Sequence, residues 1–151
     1  MVRLLRWVCL LVGLTAAGPV LAEDFATADE AVALVKQAVA LYKTDGPDKA
    51  FAAFQDPKGA FQVKDLYVFV QDMKGNMLSH GKNPGLIGKD LSHLKDADGK
   101  EFVAEMMALA ASGKSGWVDY KWANPATRKI QTKTSYVEPV DGLFIGAGIY
   151  K

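Results

Sequence analysis

The stretch SGWVDYKWANPATRKIQTKTSYVEP, from Ser115 to Pro139, predicts two β-strands joined by a turn. Aromatic and β-branched residues alternate with polar ones on both sides of Asn-Pro-Ala-Thr, a run of turn-forming residues. A turn at 123–128 would oppose these pairs on the two strands: Trp122 and Lys129, Tyr120 and Gln131, and Val118 and Lys133. Because opposed residues lie on one side of a sheet, the aromatic side chains and Lys133 are expected to face the same way.

This shared face has two interpretations. Rings that exclude water, placed beside one ammonium group, suit a small carboxylate. A solvated sheet face with surface lysines explains the same composition. The residue pattern alone leaves both interpretations open.

The segments that flank this hairpin predict the rest of an antiparallel sheet. DLYVFVQD (65–72) is a β-branched and aromatic run typical of a buried strand, and MKGN (73–76) favours a turn. MLSHG (77–81) is expected to return beside it, and GLFIGAGIYK (142–151) to form the last strand. Five antiparallel strands are therefore predicted.

Three helices are predicted around these strands. The first begins at a capping box, Thr27-Ala28-Asp29-Glu30, and ends at Asp45-Gly46-Pro47. A shorter helix follows from about Pro47 to Phe54, and a third, capped at Asp98, runs to about Ala111. The expected fold class is α+β, a five-stranded antiparallel sheet with helices on its faces and one long crossover.

The first residues have the order of a secretory signal peptide. Two arginines precede the apolar run Trp7–Ala17, and small or apolar residues lead to Ala22. That run is shorter than the roughly 20 apolar residues that span a bilayer. We expect a signal peptide at 1–22, cleaved after Ala22, and one domain at 23–151 with no further membrane insertion.

Charge and cysteine content exclude other classes of partner and site. Without Arg3 and Arg6 the chain has 16 Lys+Arg against 17 Asp+Glu, a net charge of −1, which does not favour nucleic-acid binding. The single cysteine, Cys9, lies in the expected signal peptide. The domain is therefore expected to contain neither a disulfide nor a thiolate, which favours a bacterial periplasm among exported routes.

A partial calcium motif precedes the third helix. Asp96, Asp98, Gly99 and Glu105 match positions three, five, six and twelve of an EF-hand loop. Position one is Leu94, which cannot bind a cation. The interpretation with Asp98 as a helix cap is preferred.

Other cofactor and catalytic patterns are incomplete. Gly88-Lys89 is followed by Asp90, where a phosphate-binding loop has a hydroxyl. His80 and His93 lack zinc-ligand spacing. Ser79 and His80 are strand neighbours on opposite faces, so they cannot form a nucleophile–base pair. We expect no metal, no cofactor and no enzymatic activity.

Two long stretches resemble a known family. They are LYVFVQDMKGNMLSHGKNPGLIGKDLSHLKDADGKEFV (66–103) and SGWVDYKWANPATRKIQTKTSYVEPVDGLFIGAGIY (115–150). The matching features, in order, are His80 after a turn, G-K-D-L (88–91), D-x-x-G-K (96–100), W-V-D-Y-x-W (117–122), K-x-S-Y-V (133–137) and G-x-G-I-Y (146–150). This ordered set resembles single Cache domains of the second type, which are extracytoplasmic sensor modules of bacterial chemoreceptors and histidine kinases.

The resemblance implies a PAS-like sheet, a long N-terminal helix, and a pocket between the sheet and the crossover that follows His80. In the family this pocket binds small molecules, often short organic acids. The candidate ligand-binding residues carried over are His80, Tyr120, Trp122 and Lys133, with Tyr67 and Gly146 as weaker candidates.

The expected function is periplasmic binding of a small anionic metabolite in chemosensory or two-component signalling. Lys133 would pair with the carboxylate of the ligand. Tyr120 and Trp122 would form the walls of the pocket around the ligand, and His80 would make a hydrogen bond with it. The chain ends at Lys151 without a signalling domain, so a soluble binder that serves a membrane receptor or histidine kinase is expected, with a homodimer left open. The alternative is a protein–protein interaction module that uses the N-terminal helix and binds no ligand.

Overall fold

The computed structural model describes residues 25–151. The expected signal peptide, 1–22, and its cleavage point lie outside the described residues. The elements are α1 (Ala28–Asp45), α2 (Pro47–Gln55), β1 (Gln62–Val63), β2 (Leu66–Asp72), β3 (Met77–His80), a 3-10 turn (Pro84–Leu86), α3 (Phe102–Ala111), β4 (Gly116–Ala123), β5 (Ile130–Val140) and β6 (Leu143–Tyr150). No helix within 25–151 is both long enough and apolar enough to cross a bilayer.

The predicted limits of α1 are confirmed. The Thr27 hydroxyl accepts a hydrogen bond from the Glu30 amide at 3.2 Å, and the Glu30 carboxylate accepts one from the Thr27 amide at 2.7 Å. These reciprocal bonds satisfy amides that would otherwise lack partners at the start of a helix. The helix ends where Gly46 adopts a φ of +82° and Pro47 begins α2.

The sheet is antiparallel throughout, in the order β1-β2-β6-β5-β4, with β3 also paired to β2. The five predicted strands are all present. The sixth strand, β1, has two residues, so it is too short to leave a periodic signal in the sequence. The α+β class and the PAS-like arrangement are confirmed.

The predicted register of the β4–β5 hairpin is wrong by two residues. The observed pairs are Trp122 with Gln131, Tyr120 with Lys133, and Val118 with Ser135. A shift of two leaves every side chain on the face that was predicted for it, because side chains alternate with period two. Tyr120 and Lys133 are consequently direct cross-strand neighbours.

The loop at 124–129 explains the different register. The Asn124 amide donates to the Lys129 carbonyl at 2.9 Å, and the Asn124 carbonyl accepts from the Arg128 amide at 2.7 Å. Arg128 has a φ of +58°. The Asn124 Oδ1 accepts a hydrogen bond from the Ala126 amide at 2.9 Å. The chain therefore reverses in a six-residue loop that begins one residue later than predicted.

Each face of the sheet has its own core. On one face α1 and α2 pack on β2, β5 and β6, with Val35, Ala38 and Phe54 fully enclosed. On the other face α3 and the crossover, residues 81–101, cover Phe69, Val137 and Phe144. The second layer is the one that contains the candidate site.

The predicted cap of α3 at Asp98 is wrong. The residue that precedes the helix is Glu101, and its side chain makes no capping bond. Asp96 instead orders this turn, because its Oδ1 accepts the amides of Asp98 and Lys100, each at 2.9 Å. Its Oδ2 accepts the Lys121 amide at 2.8 Å, which ties the crossover to β4.

Candidate ligand-binding site

A cavity of about 20 Å³ lies between the sheet and the layer formed by the crossover and α3. This volume is about the space that one water molecule needs. Residues from β2, β3, β4 and β5 line it, among them Tyr67, Phe69, His80, Tyr120, Trp122 and Lys133. Five of the six residues predicted for the site therefore lie around one space, which we call the inner cavity.

Lys133 is the most deeply buried charged side chain of this cavity, with 1% of its surface exposed. Its Nζ donates a hydrogen bond to the Tyr67 hydroxyl at 2.7 Å. The same Nζ lies 4.0 Å from the centroid of the Tyr67 ring and 5.1 Å from that of Tyr150. Ring faces and one phenol are thus its neighbours, and within residues 25–151 it makes no ion pair.

Burial lowers the pKa of Lys133 from 10.5 to about 7, because the ammonium loses its hydration. The charge of Asp65 opposes this shift and favours the protonated form. A buried cation normally has an anionic partner. Lys133 can therefore bind an anion that enters the cavity, and the anion would restore the protonated state.

His80 faces the same cavity as a neutral hydrogen-bond donor. Its Nδ1 accepts the amides of Lys82 at 3.2 Å and Asn83 at 2.9 Å, so the proton is assigned to Nε2. Burial, and then the charge of Lys133, lower its pKa to about 4. The other histidine, His93, has a side chain that is 88% exposed and lies away from the site.

Aromatic rings form one wall of the cavity. Phe102 and Tyr120 stack with centroids 4.2 Å apart and planes inclined by 2°, and Trp122 meets both rings edge-on at 5.5 and 6.1 Å. The Tyr120 hydroxyl lies 3.0 Å from the Ser135 hydroxyl. The wall is apolar on the cavity side, which lowers the local dielectric and strengthens any charge pairing there.

A directed hydrogen-bond chain leads from Lys133 to the end of β4. Tyr150 donates its hydroxyl proton to the Ala123 carbonyl at 3.0 Å, so the Tyr67–Tyr150 contact at 3.3 Å must use the proton of Tyr67. Tyr67 can then only accept from Lys133. Burial raises the pKa of both tyrosines, so both stay neutral phenols.

Two glycines of β6 have different roles. A Cβ at Gly148 would come within 2.9 Å of Lys133 Cε and would overlap the Ser135 hydroxyl. A Cβ at Gly146 would overlap the ring of Phe69. Gly148 thus leaves the space for the lysine stem, whereas Gly146 lies beneath Phe69 and does not line the cavity.

A larger space, which we call the vestibule, opens beside the inner cavity. It has a volume of about 240 Å³. Three of its lining residues, Tyr67, His80 and Trp122, also line the inner cavity. The others are Lys82, Asn83, Ala123 and Pro125. The two spaces therefore meet at a boundary that the three shared side chains form.

Sequence reasoning missed several residues of the site. Phe69 and Gln71 follow Tyr67 on β2 by two and four residues, so they lie on the same face of the sheet. This spacing could have identified them from the sequence. Phe102 lies within the predicted third helix, where nothing in the sequence marks it as a site residue. Gly148 and Tyr150 lie opposite Ser135 and Lys133 in the β5–β6 register, which the sequence did not provide.

Comparison with known proteins gives one family. The family model described as Single Cache domain 2 matches residues 25–151. The methyl-accepting chemotaxis protein McpP of Pseudomonas putida is 38% identical over 88 residues, which are 57% of this chain and 16% of that protein. The sensor histidine kinase MctS of Rhizobium johnstonii is 37% identical over 89 residues, 58% of this chain and 19% of that protein.

Solved structures give the same result. The periplasmic sensor domain of a chemotaxis protein superposes with a TM-score of 0.65 at 28% identity, covering 81% of this chain and 88% of that one. A Cache chemosensory domain described for its carboxylic acid recognition has the same TM-score and identity, and the match covers 81% of this chain and 86% of that one. The chain spans less than a fifth of the length of the two curated relatives.

Proposed function

Because the chain belongs to the single Cache domain 2 family, we propose that it is a periplasmic sensor domain that binds a short organic acid. The ligand carboxylate pairs with the ammonium of Lys133. The Nε2–H of His80 donates a second hydrogen bond, and Tyr120 and Trp122 enclose the carbon chain. Tyr67 holds the lysine side chain in position.

The observation that supports this proposal is the burial of Lys133 without a carboxylate partner in the described part of the chain. Such a residue reduces the stability of a domain unless a bound anion compensates its charge. The small inner cavity and the apolar wall favour a ligand of few carbon atoms. The carboxylic acid recognition described for one structural neighbour is consistent with the same chemistry.

The relatives support the proposed location and partners. Cache domains are extracytoplasmic sensor domains, and the expected cleavage after Ala22 would deliver residues 23–151 to the periplasm. The curated relatives are a chemoreceptor and a histidine kinase. A receptor or kinase of these classes is the proposed recipient of the signal, and the family is one of sensor domains without an enzymatic fold.

A thermal-shift screen tests the proposal. The panel contains acetate, propionate, butyrate, lactate and succinate, with amino acids and amines for comparison. A ligand that binds only the folded state raises the melting temperature. We expect one or more of the acids, and not the amines, to stabilise the chain.

The matched variants are Lys133→Met in the cavity and Lys129→Met on the exposed hairpin loop. Lys133→Met should lose the shift, and Lys129→Met should keep it. An equal shift in both variants would remove Lys133 from the site. No shift with any compound would favour the interaction module that uses the N-terminal helix.

A further inference from the structure

The crossover above the inner cavity is joined to the β2–β3 hairpin by backbone hydrogen bonds. The Met77 amide donates to the Lys89 carbonyl at 2.9 Å, and the Gly88 amide donates to the Met77 carbonyl at 2.8 Å. The Leu91 amide donates to the Gly75 carbonyl at 2.9 Å. This part of the crossover is bonded almost like an additional strand.

The other end of the crossover is joined to β4. Asp96 accepts the Lys121 amide, as described above, and the Lys100 ammonium donates to the Asp119 carbonyl. Leu91 of the crossover and Phe102 at the start of α3 are both buried in the core on this face of the sheet. Lifting it away from the sheet would break bonds at both ends and expose apolar surface, which costs free energy on each count.

The two sides of the vestibule, in contrast, are held separately. On one side the amides of Lys82 and Asn83 are bonded to His80. On the other side the loop after Ala123 is closed by its own bonds to Asn124. Across residues 25–151, no hydrogen bond or ion pair joins 82–83 to 123–125.

We propose that the ligand enters through the vestibule and that Trp122 is the gate, while the crossover stays closed. The inference rests on the proposed function, because it concerns the route to the same site. Trp122 lies at the boundary of the two spaces, and its contacts with Phe102 and Tyr120 are edge-on ring contacts. Its rotation opens the passage without breaking any bond of the crossover. Trp122 therefore controls which ligands reach Lys133 and how fast.

The experiments use the full chain with Trp7→Phe, Trp117→Phe and Cys9→Ser. The sequence contains three tryptophans and one cysteine, so this parent keeps Trp122 as its single tryptophan and contains no thiol. Stopped-flow fluorescence of Trp122 reports association and dissociation of the acids of the thermal-shift panel.

The first experiment locks the crossover. Asn76 and Asp90 are partners in an isolated antiparallel bridge, a geometry whose Cα separation of about 4.5–5.5 Å suits a disulfide. Both are replaced by cysteine, and the oxidised form is compared with the reduced form of the same protein. We expect the rates of the two forms to agree within roughly twofold. Loss of association on oxidation, with recovery on reduction, would overturn the inference.

The second experiment narrows the vestibule. Lys82→Phe places a large ring at the vestibule, and the matched control Lys89→Phe places one on the crossover, while Trp122 stays the single tryptophan. We expect Lys82→Phe to slow association and dissociation together by roughly tenfold, with Kd little changed, and Lys89→Phe to leave both rates nearly unaltered. Unchanged rates in Lys82→Phe would overturn the inference. Absence of binding by any acid in the parent would instead overturn the proposed function.

Discussion

Gly148 lies directly beside the side chain of Lys133, and the lysine stem occupies space that a Cβ at position 148 would need. A Cβ at position 148 would lie 2.9 Å from Lys133 Cε and 2.6 Å from the Thr134 carbonyl oxygen. Both distances are far shorter than ordinary van der Waals contact. The position of the buried ammonium therefore depends on a glycine in the neighbouring strand.

Gly148→Ala should destabilise the fold and weaken ligand binding together. Overpacking of a close contact costs about 1–3 kcal/mol, and the displaced Lys133 would lose its place in the cavity. Urea denaturation and calorimetric titration measure the two effects.

The control is Gly116→Ala, whose Cβ would meet only the flexible end of Leu109 at 3.3 Å. It should cost less stability and leave the affinity unchanged. Normal affinity in Gly148→Ala would contradict the role given to this glycine.

The affinity for an acid should fall as pH rises above about 7. In the empty site the pKa of Lys133 is about 7, so the ammonium is lost above that pH and the anion must bind together with a proton. Affinity should be constant well below pH 7 and fall by up to about tenfold per pH unit above it, until the pKa of the ligand-bound lysine is reached. Titration calorimetry from pH 6 to 9 measures this slope. A constant affinity over the whole range would mean that Lys133 is not the counter-charge.

The two nitrogens of His80 should have separable roles. Asn at position 80 offers an acceptor near the place of Nδ1, so His80→Asn should keep the amides of Lys82 and Asn83 bonded while it removes the Nε2 donor. We expect weaker ligand binding, by roughly tenfold, with little loss of stability.

His80→Phe is the matched variant because it removes both functions. Amide hydrogen exchange at Lys82 and Asn83 should accelerate in His80→Phe and stay slow in His80→Asn. Equal exchange in the two variants would show that Nδ1 does not hold this loop.

The sequence predicted the face of the site better than its register. Alternation placed Tyr120, Trp122 and Lys133 on one side of the sheet, and an error of two residues in the hairpin did not change this. The loop has the predicted length of six residues, but its starting position could not be predicted, because its closure depends on the side-chain and backbone bonds of Asn124. Face is a local property of a strand, whereas register is decided by the loop.

Contacts between distant segments were the part that the sequence did not provide. Nothing local distinguishes Gly146 from Gly148, and only the pairing of β6 with β2 and β5 assigns one to Phe69 and the other to Lys133. Phe102 appears in sequence as an ordinary apolar helix residue. Its stacking on Tyr120 arises because the crossover brings α3 across the sheet.

The proposed ligand compensates a cost in stability that the buried ammonium of Lys133 imposes on the empty domain. The pKa of Lys133 is about 7 in the folded chain and 10.5 in the unfolded one. Between these values the unfolded chain binds a proton that the folded chain does not. The contribution of Lys133 to stability therefore rises with pH from about 7 to 10.5, opposite to the trend in affinity.

The most direct measurement is the free energy of unfolding of Lys133→Met beside the parent chain, with and without the best acid of the panel. An apolar residue of similar size should be neutral or stabilising at pH 6, by up to a few kcal/mol. It should also remove the ligand-induced stabilisation and flatten the dependence on pH. A variant that is strongly destabilised when empty, yet is still stabilised by the acid to the same extent as the parent, would show that Lys133 is not the counter-charge of the ligand.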